Sequence, residues 1–367
     1  MRDAWHNNNG EMYAIPYNLS AAEIENLQIV ARKGTFSCPY CKAALYIRHG
    51  DINGTYFSHQ HGESCEPSKV VTAAYKRYVK QKKRESHRQE LIVTMMRDEL
   101  NVLSRIYSTL EVKFGYLDLA FNNHIPDLIV TIQNRKYALS VLTDINRTTD
   151  SIAAKTIKAR EQDFIKKGYK PIWFIERSQL AVDTDKKSLV FWTSEQAALQ
   201  EHNEDATWTQ FLHTLAPSDE LIRIMNLDKQ HLHSSIEVKS ILYITPANED
   251  IALQIYRVIE NRTSNPPKAT FLTDAYTLSI AEAFAVNNDA LRLSLPDVER
   301  EMRTAYQKLF LKNQLELQQQ EEFRRIETER IEKEREKVRN ETKKVIQKIP
   351  DKTSRLSNLM QAYKQNN

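Results

Sequence analysis

The 367-residue sequence predicts an α+β fold, and three features carry that prediction. Between residues 68 and 178, helical periods alternate with short runs rich in β-branched residues. All three cysteines lie between Cys38 and Cys65, beside His59 and His61, which sets off a small N-terminal module. All seven glycines lie at or before Gly168, so the second half is expected to be mostly helical.

Five segments follow from these shifts. Residues 1–67 form a turn-rich, zinc-ribbon-like module. Residues 68–178 form the central α/β core. Residues 179–296 read as a mixed, mainly helical domain. Residues 297–349 read as one long charged helix, and 350–367 as a polar tail. With 41% hydrophobic and 27% charged residues, a globular chain is expected. Three cysteines cannot build a disulfide framework, which points to a reducing, cytoplasmic setting. Met1 to Gly10 lacks the apolar core of a signal peptide, and no run approaches a membrane span. Neither G-x-G-x-x-G nor G-K-S/T occurs, so no dinucleotide fold or P-loop is signalled.

In the first segment, Cys38-Pro39-Tyr40-Cys41 is a C-x-x-C knuckle, followed by His59, His61 and Cys65. Such a turn places two thiolates on one side of an ion. One histidine and Cys65 would complete a Cys3His structural Zn²⁺ site. His59 follows the strand-like Tyr56-Phe57-Ser58, and His61 is the reserve ligand. A thioredoxin-like redox pair and unligated thiols are the alternatives; the redox pair lacks its strand before and long helix after.

In the second segment, Ser86 to Leu100 reads as a helix and Tyr107 to Phe114 as a strand. Ile125 to Ile132 and Tyr137 to Thr143 form a hairpin around a polar turn centred on Asn134-Arg135. Ser151 to Lys167 is a helix stopped by Gly168, and Lys170 to Glu176 is a buried strand. The order helix, three strands, helix, strand suits a restriction-endonuclease-like, PD-(D/E)XK-type core. In such cores an Asp at a strand start, with an acid plus a Lys on the next strand, holds Mg²⁺. Asp127 takes the first position and Asp144 is the candidate second ligand. The turn as drawn puts Asp127 across from Leu142, with Ser140 and Asp144 diagonal to it.

These residues resemble the competence protein CoiA family over about residues 30–178. The resemblance rests on C-P-Y-C, Y-F-S-H and Cys65, then the Ser86-His87 helix start and I-P-D-L-I-V. Arg160, the region of Tyr169, and P-I-W-F-I complete it. It implies a cytoplasmic protein acting on incoming DNA during transformation, with a zinc-ribbon-like N-terminus. The family's second strand carries a carboxylate followed by an amide or basic residue. Here Ser140 and Leu142 stand at those positions, and neither is an adequate Mg²⁺ ligand. The chain is therefore expected to be a degenerate, DNA-binding relative, with a working Mg²⁺ nuclease as one alternative. A non-catalytic adaptor or protein-interaction scaffold is another.

Between Ser68 and Leu100, nine basic residues face four acidic ones. Lys76, Arg77, Lys80, Lys82, Lys83, Arg84 and Arg88, with Arg160 further on, are the candidate phosphate contacts. An ordinary solvated helix face is the bland alternative. From Glu321 to Lys344, acid–base pairs recur at i,i+3, while Ile331, Val338 and Val345 keep a seven-residue spacing without a second seam. A solvated single helix or a self-associating coil is expected there, serving as a spacer or an arm for a protein partner.

Overall fold

The computed structural model describes residues 1–16, 19–50, 54–60, 64–83, 87–176, 181–183, 187–227, 236–247, 250–261, 264–348, 358–362 and 364. Its fold is mixed α+β. Two compact units are present, Met1–Tyr306 and Gln307–Asn367. Among the described residues, no helix is long and apolar enough to cross a membrane.

The N-terminal module comprises β1 (Asp3–His6), β2 (Glu11–Ala14), α1 (Ala21–Arg32), β3 (Phe36–Ser37), β4 (Leu45–Gly50) and β5 (Gly54–His59). Strands β2, β1 and β3 make one small sheet, and β4 pairs with β5. Ser20 starts α1 with a capping box: its hydroxyl accepts from the Glu23 N–H while the Glu23 carboxylate accepts from the Ser20 N–H. The core under these elements is small: Ala4, Ile15, Ala31, Phe36, Leu45, Ile47 and Phe57, with Cys38 buried among them. A module this thin gains from a metal staple.

The central core follows as α2 (Glu66–Gln81), α3 (His87–Ile106), β6 (Leu110–Phe114), β7 (Leu128–Ile132), β8 (Arg135–Leu142), α4 (Asp150–Lys166) and β9 (Lys170–Glu176). Strands β6, β7 and β8 are an antiparallel meander, and β9 lies parallel to β8. Helix α4 closes as the sequence predicts. Gly168, at φ +82°, lets the Tyr169 N–H reach the Phe164 carbonyl at 2.9 Å. The hairpin register corrects the sequence expectation. Ile132 pairs with Arg135, so the two-residue turn is Gln133-Asn134, with Gln133 at φ +51°. Asp127 therefore stands level with Ser140, two residues from the Leu142 expected.

The segment 179–296 is not mainly helical. It carries β10 (Ala181–Asp183), β11 (Ser188–Val190), α5 (Thr193–Ala197), α6 (Asn203–Leu215), α7 (Ser218–Ile224), β12 (Val238–Ala247) and β13 (Asp250–Asn261). Then come β14 (Lys268–Phe271), β15 (Tyr276–Ser279), α8 (Ile280–Phe284), β16 (Val286–Asn287) and β17 (Ala290–Leu291), before α9 (Pro296–Lys348). Lack of glycine permits helices but does not dictate them. The alternating Ile, Tyr and Val of β12 and β13 bury well on a pleated surface.

Ten strands join in one sheet, ordered β10-β11-β14-β13-β12-β9-β8-β7-β6, with β15 also on β13. Among the described residues, strands β9 and β12 pair in parallel at Tyr243–Ile175 and Ile244–Glu176. At the other end of β9, Pro171 has no N–H to offer, and the Trp173 N–H is taken by the Gln200 side chain at 3.2 Å. Beyond β12, Arg257 of β13 is fully buried. It donates to Glu299 in the first turn of α9 at 2.7 Å and to Asp205 of α6 at 3.1 Å. Trp208 also donates to Glu299, at 2.5 Å. These bonds seat the start of α9 against the sheet.

Candidate functional site

Two sites draw on the predicted residues. The first is the N-terminal cluster. The turn at Cys38–Cys41 closes through the Lys42 N–H to the Cys38 carbonyl at 2.9 Å, with Lys42 at φ +62°. Strand β5 delivers His59, and Cys65 is the N-cap of α2. The Cys38 and Cys65 sulfurs are 3.8 Å apart, and Cys41 Sγ is 3.2 Å from His59 Nε2. All four ligand atoms lie within 4.8 Å of one another. Thiolates about 2.3 Å from a tetrahedral zinc stand about 3.8 Å from each other. The donor set therefore fits Zn²⁺, and the cluster could hold that ion. His61 lies outside the described residues.

The second site is built around Asp127, just before β7. Gly115 makes it possible. A Cβ there would meet the Pro126 carbonyl oxygen at 2.0 Å, so only glycine allows the chain to pass and the Gly115 N–H to bond Asp127 O at 3.1 Å. The Asp127 side chain points inward and is fully buried. One oxygen accepts from Tyr78 Oη at 2.9 Å and from Lys82 Nζ at 2.6 Å, and the other from the Val141 N–H at 2.6 Å. Burial alone pushes this carboxyl up. The adjacent Lys82 and Arg160 charges, with these hydrogen bonds, outweigh it and hold the group below the usual carboxylate range.

Arg160 is equally enclosed. It donates to Ser140 Oγ at 2.9 Å and to the Ile125 carbonyl at 3.2 Å, and lies 4.9 Å over the Trp173 ring. Gln81 grips the same loop, donating to Ile125 O at 2.8 Å and accepting from its N–H at 3.0 Å. On α3, the buried Gln89 donates toward the Val141 carbonyl at 3.4 Å.

Several expectations change here. Lys82 and Arg160, assigned to phosphate contact, are turned inward to Asp127 and Ser140. Asp144 lies beyond β8, exposed and at φ +53°, and does not complete an acidic cluster. Among the described residues, Cys38, Cys41, His59 and Cys65 are the one group of three or more metal-ligating side chains that comes together. Mg²⁺ thus has no built site among them. Lys76, Arg77, Lys80 and Lys83 are exposed along the outer face of α2 and the turn after it. Arg88 is exposed and lies 3.0 Å from Glu176. Arg84 lies outside the described residues.

Sequence reasoning missed Gln81 and Gln89, and it read Tyr78 as a stacking aromatic in the cationic stripe, whereas Tyr78 is buried against Asp127. The signal for its inward direction was present. Val71, Ala74 and Tyr78 recur at helical spacing as the buried stripe of α2, and Lys82 continues that stripe.

The family model for the competence protein CoiA N-terminal domain matches residues 17–68. This segment contains all four cluster ligands, and over it the chain resembles that family. No curated protein and no solved structure matches the chain.

Proposed function

We propose that this is a CoiA-like, competence-related cytoplasmic protein that engages DNA through a restriction-endonuclease-like core which no longer cleaves it. The CoiA N-terminal match and the helix–three-strand–helix–strand order of the core support the first part. The observation that carries the second is the saturation of Asp127. A catalytic Asp must offer its oxygens to a metal, and here Lys82, Tyr78 and Val141 take them. Among the described residues, Asp127 belongs to no group of three or more metal-ligating side chains.

DNA contact is assigned to the outer face of α2. Lys76, Arg77 and Lys80 stand there along about 6 Å of helix, at 1.5 Å per residue, and Lys83 extends the row into the turn after it. Such a row neutralises a phosphate backbone without reading sequence. In this reading Zn²⁺ is structural, and the charged helix α9 serves as an arm for a protein partner. The test is a salt titration of binding to single- and double-stranded DNA, with Mg²⁺ or Mn²⁺ cleavage assays in parallel. Salt-dependent binding without metal-stimulated cleavage is expected. Absence of DNA binding at low salt would leave the protein-scaffold alternative.

A further inference from the structure

We propose that the Cys38, Cys41, His59 and Cys65 centre positions the Asp127 site through helix α2, so that metal occupancy is felt at the DNA-binding core. The inference deepens the DNA-binding proposal, and its biological meaning rests on that proposal. Its geometry stands separately.

Helix α2 starts at the metal cluster and ends at Asp127. Cys65 immediately precedes its first residue and makes no side-chain capping bond, so its sulfur remains directed to the cluster. The body of the helix is a stiff rod about 24 Å long. Its far end is pinned by four polar bonds. Tyr78 and Lys82 hold the Asp127 carboxylate, and Gln81 both donates to and accepts from the Ile125 backbone.

A second route leaves the same module. Asp3 of β1 is buried and accepts from Tyr116 Oη at 2.8 Å. Strand β1 pairs with β3, which leads into Cys38. The Tyr116 ring packs 5.1 Å from Tyr75 and 5.5 Å from Tyr78, both on α2. Both ends of the metal module therefore converge on the inner face of one helix. A chain of packed rigid elements is one physical route by which energetic coupling passes between sites. Tyr78 and Gln81 are the positioning residues in this link.

The test uses the full-length chain in a two-by-two cycle. Zinc-loaded and chelator-treated protein are compared for wild type and for the double variant Tyr78→Phe/Gln81→Ala. That variant removes three of the four pinning bonds and keeps the Lys82 ion pair. Amide exchange is followed in peptides covering 125–127 and 139–141, with β12–β13 peptides as reference. Chelation is expected to speed exchange in wild type at least about fivefold at the two site peptides. In the double variant the chelation effect should fall below about twofold, with β12–β13 unchanged throughout. Equal chelation effects in both proteins overturn the proposal, as does a change confined to residues 36–65. Faster exchange in β12–β13 also overturns it, since metal loss would then unfold the whole unit. Failure of the chain to take up zinc overturns the metal assignment and this link with it. Absence of DNA binding defeats the DNA proposal alone, and the exchange cycle still decides the link.

Discussion

Lys82 Nζ lies 2.6 Å from Asp127 Oδ1, and the two side chains are only 11% and 2% exposed. The pair takes up the carboxylate that a metal-dependent nuclease would offer to its ion. An ion pair this deep need not add net stability over apolar residues. Breaking it is costly, because the surviving charge is left buried.

Replacing Asp127 with Asn should therefore destabilise the chain by about 3–5 kcal/mol at neutral pH, measured by urea unfolding. The group's folded pKa is lowered. Its contribution is thus fully present above the unfolded carboxylate value of about 3.9, and it is lost as pH falls through the lower folded value. The gap between wild type and Asp127→Asn should narrow only in acid. A gap that persists unchanged well below pH 3 would show that the carboxylate charge is not its source.

Gly115→Ala should be among the most damaging single-methyl changes. The added carbon would sit 2.0 Å from a backbone oxygen, which no side-chain rearrangement relieves. A loss of about 3 kcal/mol or more is expected from such overpacking. Gly168→Ala is strained by its positive φ but meets nothing within 4 Å, so its cost should be smaller. Thermal unfolding of the two variants ranks them, and the reverse order would contradict the close approach at Pro126.

Charge reversal of Lys76, Arg77, Lys80 and Lys83 to Glu should leave stability within about 0.5 kcal/mol for each exposed site. It should also flatten the dependence of log Kd on log salt by about 0.9 for each duplex phosphate no longer neutralised. An unchanged slope would remove α2 from the interface. Lys82→Glu should differ in kind, by unfolding the core.

Glu299→Ala should cost about 3 kcal/mol, because it removes one of the two carboxylates bonded to buried Arg257 and the acceptor of the Trp208 N–H. By contrast, Arg325→Ala removes a pair with Glu322 that is 68% and 52% exposed, and should change stability by less than about 1 kcal/mol. Chemical denaturation of both variants checks this division. Comparable costs would mean that the ion pairs along α9 matter more than their exposure suggests.

How far the fold was legible depends on which signal was local. The Cys38 to Cys65 spacing, the β7–β8 hairpin and the Gly168 stop were readable because each rests on near neighbours in sequence. The hairpin register slipped by two positions because Gln133 adopts a left-handed conformation that its residue type does not advertise. Lys82 and Arg160 were misplaced for another reason. Both sit in basic surroundings, yet Lys82 continues the Val71, Ala74, Tyr78 stripe, and Arg160 lies between Ile157 and Phe164 on the buried side of α4. Helical position, rather than charge, decided their direction. Within 179–296, β10–β11, β12–β13, β13–β14 and β16–β17 are local hairpins, whereas β11–β14 and β9–β12 join across long separations. Glycine content carries no information about either kind of pairing.

The most direct test of a core that holds DNA without cutting it is a cleavage assay at protein concentrations where binding is saturated. Wild type and Asp127→Ala are incubated with single- and double-stranded DNA in Mg²⁺ or Mn²⁺. Bound, intact DNA is expected with wild type, with no more product than the variant background. Metal-stimulated cleavage by wild type that disappears in Asp127→Ala would contradict it, and would mean that Lys82 yields its place to a catalytic ion.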